Sequence, residues 1–432
     1  MDNPLVRILK DRREKNIKGL YCACTANEFV ISTCMKKALA TKTPLIVEAT
    51  ANQVNQYGGY TGMKPQDYMA FIAAIATKND FPLSELILGG DHLGPLTWCH
   101  LPQEEAMAEA KELVRLYALA GFTKLHLDTS MRLADDDPQA PLPTAVIARR
   151  GAELAAVAET AYQSRLVDNP EAIPPCYIIG SEVPIPGGEQ EDTGVKVTSA
   201  TDFSETVRLY QTLFAEYGLT EAFSRVIAVV VQPGVEFGEE TIHEYQPEQV
   251  VDLLGALAQY PNLVFEGHST DYQTPNKLRA MVDDNVALLK VGPGLTFAYR
   301  QGLFALASIE QELFAGVKPL SDLVATIERV MLEQPKDWQK YYHGDAKKLE
   351  LARKYAYSDR VRYYLPDVRI QASIEKLFAN FMGIKIPWTL LLQFMPKQYD
   401  KVREHTLDNE AKALVEDFVG NCIDDYLYAI VR

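Results

Sequence analysis

Short runs of Val, Ile and Leu recur along the chain, each closed by glycine, proline or a cluster of polar residues, and segments with helical periodicity lie between them. Eight runs stand out, at residues 19–24, 44–48, 86–90, 123–128, 176–182, 226–232, 263–268 and 287–291. Continuously apolar strands are buried on both faces, and strands alternating with helices form a parallel sheet with right-handed crossovers. Eight such units predict an α/β fold, a closed (β/α)8 TIM barrel. The intervening segments fit its outer ring: in 104–120, Ala106, Ala110, Leu113, Val114 and Tyr117 fall on one helical stripe. Beyond residue 310 the alternation stops and helical patterns with aromatic patches such as Trp338, Tyr341 and Tyr342 take over. The expected organisation is therefore a barrel over 1–310 and a helical extension over 311–432, packed on the barrel. Segments 135–143 and 185–194 read as loops.

The active site of such a barrel lies at the C-terminal ends of its strands, and here those ends are polar. The second run ends in Glu48 and continues to Asn52 and Gln53; the third ends in Asp91-His92, the fourth in His126-Leu127-Asp128, and the fifth in Glu182. The seventh ends in Glu266-Gly267-His268, and the eighth carries Lys290. Residues i and i+2 of a strand share a face, so His126 pairs with Asp128 and Glu266 with His268. Imidazoles and carboxylates arriving from different strands can hold a divalent cation with a coordination position open to substrate, while neighbouring acids orient the ligands or move protons. A single strand-end histidine is as often a partner for backbone groups; the set of them makes the case for a site.

Composition narrows the alternatives. With 432 residues and 47% apolar content the chain can bury a full core, and its formal charge of −15 disfavours nucleic acid and anionic membranes as partners. The N-terminus carries no apolar signal-like stretch and no run is long enough to span a bilayer, so a cytoplasmic location is expected. Six scattered cysteines point to reduced thiols; Cys22 and Cys24, on one strand face, could hold a metal but more often such a pair is two small buried hydrophobes. No Walker A sequence, Gly-x-Gly-x-x-Gly after the first strand, or Gly-x-Ser-x-Gly elbow is present, which disfavours a kinase. Lys290 has three readings: a Schiff-base lysine, a phosphate or hydroxyl contact, or a buried ion pair. Ser358, Arg360 and Arg362 place two guanidiniums on alternate positions beside a hydroxyl, which suits a phosphate clamp or a solvated helix face.

Taken as a set, EATANQVNQYGGYTG (48–62), GGDHLGP (89–95), KLHLDTS (124–130), GSEVPIPGGE (180–189), VQPGVEF (231–237), EGHSTDYQT (266–274) and SDRVRYY (358–364) resemble the Z-subunit family of class II D-tagatose-1,6-bisphosphate aldolase, over nearly the whole chain. The resemblance implies ketose-phosphate chemistry. Members of that family are described either as non-catalytic subunits supporting a separate aldolase chain or as 4-epimerases of tagatose and fructose phosphates. By the same resemblance, Asp91-His92 is similar to the Asp-His pair of catalytic class II aldolases, in which the Asp handles a proton and the His binds zinc. His268 resembles a second metal histidine, and Gln232 stands where a third is expected after the sixth strand.

The expected function is a 4-epimerase interconverting D-tagatose and D-fructose 6-phosphates by metal-assisted retro-aldol chemistry. An accessory aldolase subunit is the alternative, and direct bisphosphate cleavage ranks third. The expected catalytic residues are Asp91, Asp128 and Glu48. Asn52, Gln53, Lys290, Ser358, Arg360 and Arg362 are expected to bind substrate, and His92, Glu182 and His268 a divalent ion such as zinc. The roles of His126 and Glu266 stay open. The expected partners are a ketose or ketose phosphate, a catalytic aldolase subunit in the accessory case, and further copies of this chain in a homo-oligomer.

Overall fold

The computed structural model describes residues 3–12, 17–183 and 194–431, so the loop expected over 185–194 lies, but for its last residue, outside the described residues. Eight parallel strands close on themselves, each paired with two neighbours: β1 (Leu20–Cys24), β2 (Leu45–Thr50), β3 (Leu86–Leu93), β4 (Lys124–Leu127), β5 (Cys176–Ile179), β6 (Val226–Val231), β9 (Val264–Gly267) and β10 (Val286–Val291). The order around the barrel is β1-β2-β3-β4-β5-β6-β9-β10 and back to β1. A small antiparallel hairpin, β7 (Glu236–Phe237) and β8 (Ile242–His243), sits in the loop after β6. All eight apolar runs are barrel strands, displaced by a few residues at their ends.

The two faces of each strand have separate cores. Tyr21, Val47, Leu88, Leu125, Tyr177, Val229, Phe265 and Leu289 point outward into the large core shared with the helices. Their neighbours Leu20, Cys22, Ile46, Ile87, Ile178, Ala228, Val264 and Leu288 point inward and fill the lower barrel. The N-terminal helix Pro4–Asp11 closes that end: Leu5 and Leu9 join the interior cluster, and Asn3 Nδ2 donates to the carbonyls of Thr123 and Pro174, both at 2.8 Å. The bottom is therefore sealed by apolar packing, and polar inward positions are confined to the upper half.

The boundary expected at residue 310 falls inside the helix Pro293–Phe314, which runs from the β10 end into the extension. The C-terminal helix Ala411–Ile430 returns to pack on that helix, on Pro275–Asp283, on Glu28–Thr41 and on β1. Tyr426 reaches the barrel wall, its hydroxyl 3.1 Å from Thr270 Oγ1. Between these helices the chain crosses the barrel mouth in a 3₁₀ turn, Arg360–Tyr363. Asp359, at φ 41°, anchors the turn by accepting from Arg300 Nε at 2.6 Å and Thr296 Oγ1 at 2.7 Å. No helix among the described residues is long and apolar enough to cross a membrane.

Candidate metal centre

Inward parity carries a ladder of charge up the barrel. Glu48 on β2, Lys124 on β4, Glu266 on β9 and Lys290 on β10 are all buried. Lys124 Nζ lies 2.5 Å from Glu48 Oε1 and 2.7 Å from Glu266 Oε2, while Lys290 Nζ contacts Glu48 and lies 2.8 Å from Asp91 Oδ1. Room for this comes from Gly89 on β3, where a Cβ would stand 2.7 Å from Glu48 Cγ. Of the three readings of Lys290, the structure displays the ion pair.

Above that layer the histidines converge. The β3 register shifts between Gly90 and Leu93, and His92 takes a left-handed conformation with φ 47°, a strained setting typical of bulges beside functional sites. Gly94 then lies so close to the Asp128 carbonyl that no side chain fits between them, and the Asp128 amide donates to the Leu93 carbonyl at 3.0 Å. The ends of β3 and β4 are thus locked together. The ring centroids of His92, His126 and His268 are 5.1, 4.8 and 5.1 Å apart for the pairs 92–126, 92–268 and 126–268. A ligating atom from each of them and one from Asp91 all lie within 4.8 Å of one another.

Each imidazole also has its own carboxylate. His92 Nδ1 is 2.7 Å from Asp128 Oδ2, His126 Nδ1 is 2.9 Å from Asp91 Oδ1, and His268 Nε2 is 3.1 Å from Glu266 Oε1. In the tautomer that donates to its carboxylate, each imidazole leaves the other nitrogen with its lone pair exposed, the usual arrangement around a metal; the His92 amide also points at His126 Nδ1, at 3.2 Å. Burial opposes ionisation of Asp128, but its bond to His92 outweighs that and holds the carboxyl at about 2. Glu266 is likewise held at about 2, with Lys124 overcoming burial, and Asp91 is held low by the histidines. His92 rises above its ordinary value because Asp91 and Asp128 outweigh burial, whereas burial lowers His268.

The residues fit a divalent cation on two counts. Among the described residues the Nε2 atom of His126 is buried without a hydrogen-bond partner, a costly arrangement for an imidazole, and in the tautomer that donates from Nδ1 to Asp91 it presents a lone pair there. In addition, among the described residues the four buried carboxylates Asp91, Asp128, Glu48 and Glu266 share two ammonium groups, Lys124 and Lys290, so with neutral imidazoles the network is negative.

The expected site residues divide clearly. His92, His268, Asp91, Lys290, Asn52, Gln53 and Arg362 line one cavity of about 80 Å³ at the barrel mouth. Glu48 and Asp128 support it from behind. Glu182 does not join them: β5 stops at Ile179, and Glu182 is exposed after a bend, outside the cluster of ligating atoms. His126 occupies the third imidazole position instead, whereas the Gln232 side chain accepts from the Gly234 and Val235 amides at 2.9 Å and serves its loop.

Arg360 and Ser358 also turn away from the cavity. At three residues per 3₁₀ turn, positions two apart do not share a face. The Arg360 guanidinium lies over the Tyr341 ring and donates to the Asp337 carbonyl at 2.7 Å, while Ser358 Oγ sits 3.1 Å from the Tyr342 hydroxyl. Lys124, Asp271, Tyr60 and Tyr363 are the site residues that strand-end reading missed. Lys124 had a signal, since it shares a strand face with His126 and Asp128. Asp271 lines the cavity while accepting from the Gly292 and Gly294 amides at 3.0 and 2.7 Å, and burial pushes its carboxyl up to about 6.

Comparison with known proteins adds the family. A probable tagatose 6 phosphate kinase from Sinorhizobium meliloti 1021 is 45% identical, with a TM-score of 0.86 over 95% of this chain and 100% of its own. Fructose-bisphosphate aldolase from Campylobacter jejuni and the YdjI aldolase from Escherichia coli K12 are each 13% identical, with TM-scores of 0.43 and 0.40. They cover 89% and 87% of this chain and 95% and 96% of their own, and at that distance they add nothing to the barrel described above. The family model for D-tagatose-1,6-bisphosphate aldolase subunit GatZ/KbaZ-like matches residues 5–431, and the chain belongs to that family.

Proposed function

We propose that this chain is a metal-dependent 4-epimerase interconverting the D-tagatose and D-fructose skeletons, as their 6-phosphates, by reversible cleavage of the C3–C4 bond. The observation that carries the reading is the set of three imidazoles, each oriented by its own buried carboxylate. A chain serving only as a structural partner gains nothing from that arrangement, because burying four carboxylates beneath a cavity costs stability. The family description supports tagatose-phosphate chemistry. The kinase description of the 45% identical relative is not carried over, since this chain has no phosphate-binding loop sequence.

The ion would be held by His92, His126 and His268 with Asp91 beside them, and when bound it supplies Lewis-acid stabilisation of negative charge developing on the C2 oxygen of the ketose. Asp128, Asp91 and Glu266 hold the imidazoles in orientation, while Lys290 and Lys124 keep the carboxylates ionised. Asn52 and Gln53 offer amides to sugar hydroxyls, and Arg362 offers a guanidinium to the phosphate-bearing end. Asp91 and Asp128, the acids expected to move protons, are committed to imidazoles.

The test is to incubate the metal-stripped chain alone with fructose 6-phosphate, with and without a divalent ion, and to separate the products. Tagatose 6-phosphate formed only with the ion is the expected result, and no conversion with any ion of a panel would contradict the proposal. The second reading, an accessory aldolase subunit, draws on the family description and on an apolar surface of the extension where Met382, Ile384, Trp388 and Leu392 are exposed. It predicts no conversion by the chain alone and higher activity of an added aldolase chain.

A further inference from the structure

Breaking C3–C4 requires a group to take the C4 hydroxyl proton and return it. On the cavity floor Asp91 and Asp128 are bonded to histidines, Lys290 to two carboxylates, and Asp271 to the amides of Gly292 and Gly294. The lip carries another candidate. Tyr363, carried over the mouth by the extension, lines the same cavity as His92 and His268 and stands edge-on to Tyr60, with ring centroids 4.7 Å apart at 64°. Its hydroxyl oxygen accepts from Arg362 Nη2 at 3.1 Å, and among the described residues no acceptor takes its proton.

Three buried tyrosines differ in this respect. The hydroxyls of Tyr68, Tyr117 and Tyr364 donate to the carbonyls of Thr25, Val54 and Gln334 at 2.8, 2.9 and 2.6 Å. Tyr363 alone of these four keeps its O–H for the cavity, with guanidinium carbons 4.5 Å (Arg362) and 5.5 Å (Arg360) from its ring centroid. Burial opposes ionisation of the phenol, but the two guanidiniums outweigh it and hold its pKa below the ordinary tyrosine value.

We propose that Tyr363 is the acid-base group for the C4 hydroxyl, an assignment that rests on the epimerase reading. Ionised, with Arg362 Nη2 donating to its oxygen, Tyr363 takes the C4 hydroxyl proton; the C4–O bond becomes a carbonyl as the C3–C4 bond breaks, and the bonding pair moves toward C2 and its oxygen. The aldehyde turns about the C4–C5 bond, the pair returns to form C3–C4 on the other face, and the phenol gives its proton back to the C4 oxygen. No proton or electron is gained or lost overall, and the phenol changes state only within the cycle. The competing role is mechanical: Tyr363 stacks on Tyr60 and holds Arg362 in place.

Tyr363→Phe separates the two roles, because it keeps the ring and deletes only the oxygen. The proposal predicts that kcat for fructose 6-phosphate falls by about 10² to 10⁴-fold, while KM and the calorimetric Kd for the ketose phosphate stay within about threefold. Metal content and melting temperature should also match the wild type. A kcat within about threefold of wild type, or a loss appearing in Kd and KM instead of kcat, would overturn the assignment. As a second variant, 3-fluorotyrosine at position 363 retains the hydroxyl and should retain kcat within about tenfold; loss of activity there as large as in Tyr363→Phe would overturn it too. Wild-type chain that binds the ketose phosphate and metal without epimerising would remove the underlying reading and this assignment together, whereas active wild type with active Tyr363→Phe removes only the assignment.

Discussion

Replacing Lys124 by methionine leaves Glu48 and Glu266 without the ammonium that lies 2.5 and 2.7 Å from them, in a place where all three side chains are fully buried. Removing one partner of a buried pair costs about 3–5 kcal/mol, because the remaining charge has neither water nor counterion. The depressed carboxyl of Glu266 leads to the same magnitude. Glu266 is held at about 2 rather than 4.5, with Lys124 the largest of the influences that overcome burial. At 1.36 kcal/mol per pKa unit, that depression corresponds to about 3 kcal/mol of stability. Because the folded pKa is the lower one, this contribution is fully present above about pH 4.5 and fades as pH falls toward 2.

For 432 residues, an unfolding entropy near 2.1 cal/mol/K per residue makes 3–5 kcal/mol a drop of about 3–5 °C in Tm at pH 7. Adding Glu266→Gln to Lys124→Met should recover part of the loss, since it removes one of the stranded carboxylates. Melting followed by fluorescence of Trp98, Trp338 and Trp388 reads both variants. A Lys124→Met protein melting within about 0.5 °C of wild type would refute the claim that the buried ladder is held by that ammonium.

Two further perturbations address the cavity. Asp128→Asn keeps the shape of the side chain but weakens its hold on His92 Nδ1, and zinc affinity measured by chelator competition should fall about 10–100-fold. Asp271 ionises at about 6 in the fold and near 3.8 unfolded, so the folded state binds more protons in between and stability falls as pH rises through that window. Denaturant titrations should therefore show wild type losing about 3 kcal/mol relative to Asp271→Asn between about pH 4 and 6, with no further relative change above.

Much of this was legible in the chain because a strand buried on both faces writes an uninterrupted apolar run, and eight such runs leave few closed topologies. The polar ends were legible for the same reason: Asp91, His92, His126, Asp128 and His268 interrupt apolar runs at the level of the barrel mouth. Glu182 was misplaced because apolarity marks where a strand is buried rather than where it ends, and β5 stops three residues earlier. Lys124 was overlooked because a lysine at the start of an apolar run looks like a surface residue until closure brings Glu48 and Glu266 to it from other strands. Arg360 and Arg362 were paired on an alternating pattern, which a 3₁₀ turn breaks. Tyr363 could not be found locally, because its place at the cavity depends on Asp359 anchoring the turn to the helix Pro293–Phe314.

The central claim is that three carboxylate-oriented imidazoles form one divalent-ion site, and counting ions tests it most directly. Elemental analysis of chain purified with zinc and dialysed should find one ion per chain in the wild type and a large deficit in His126→Gln and in His268→Gln, each still folded by circular dichroism. Wild-type chain without a stoichiometric ion, or with an ion that survives both substitutions, would contradict the account.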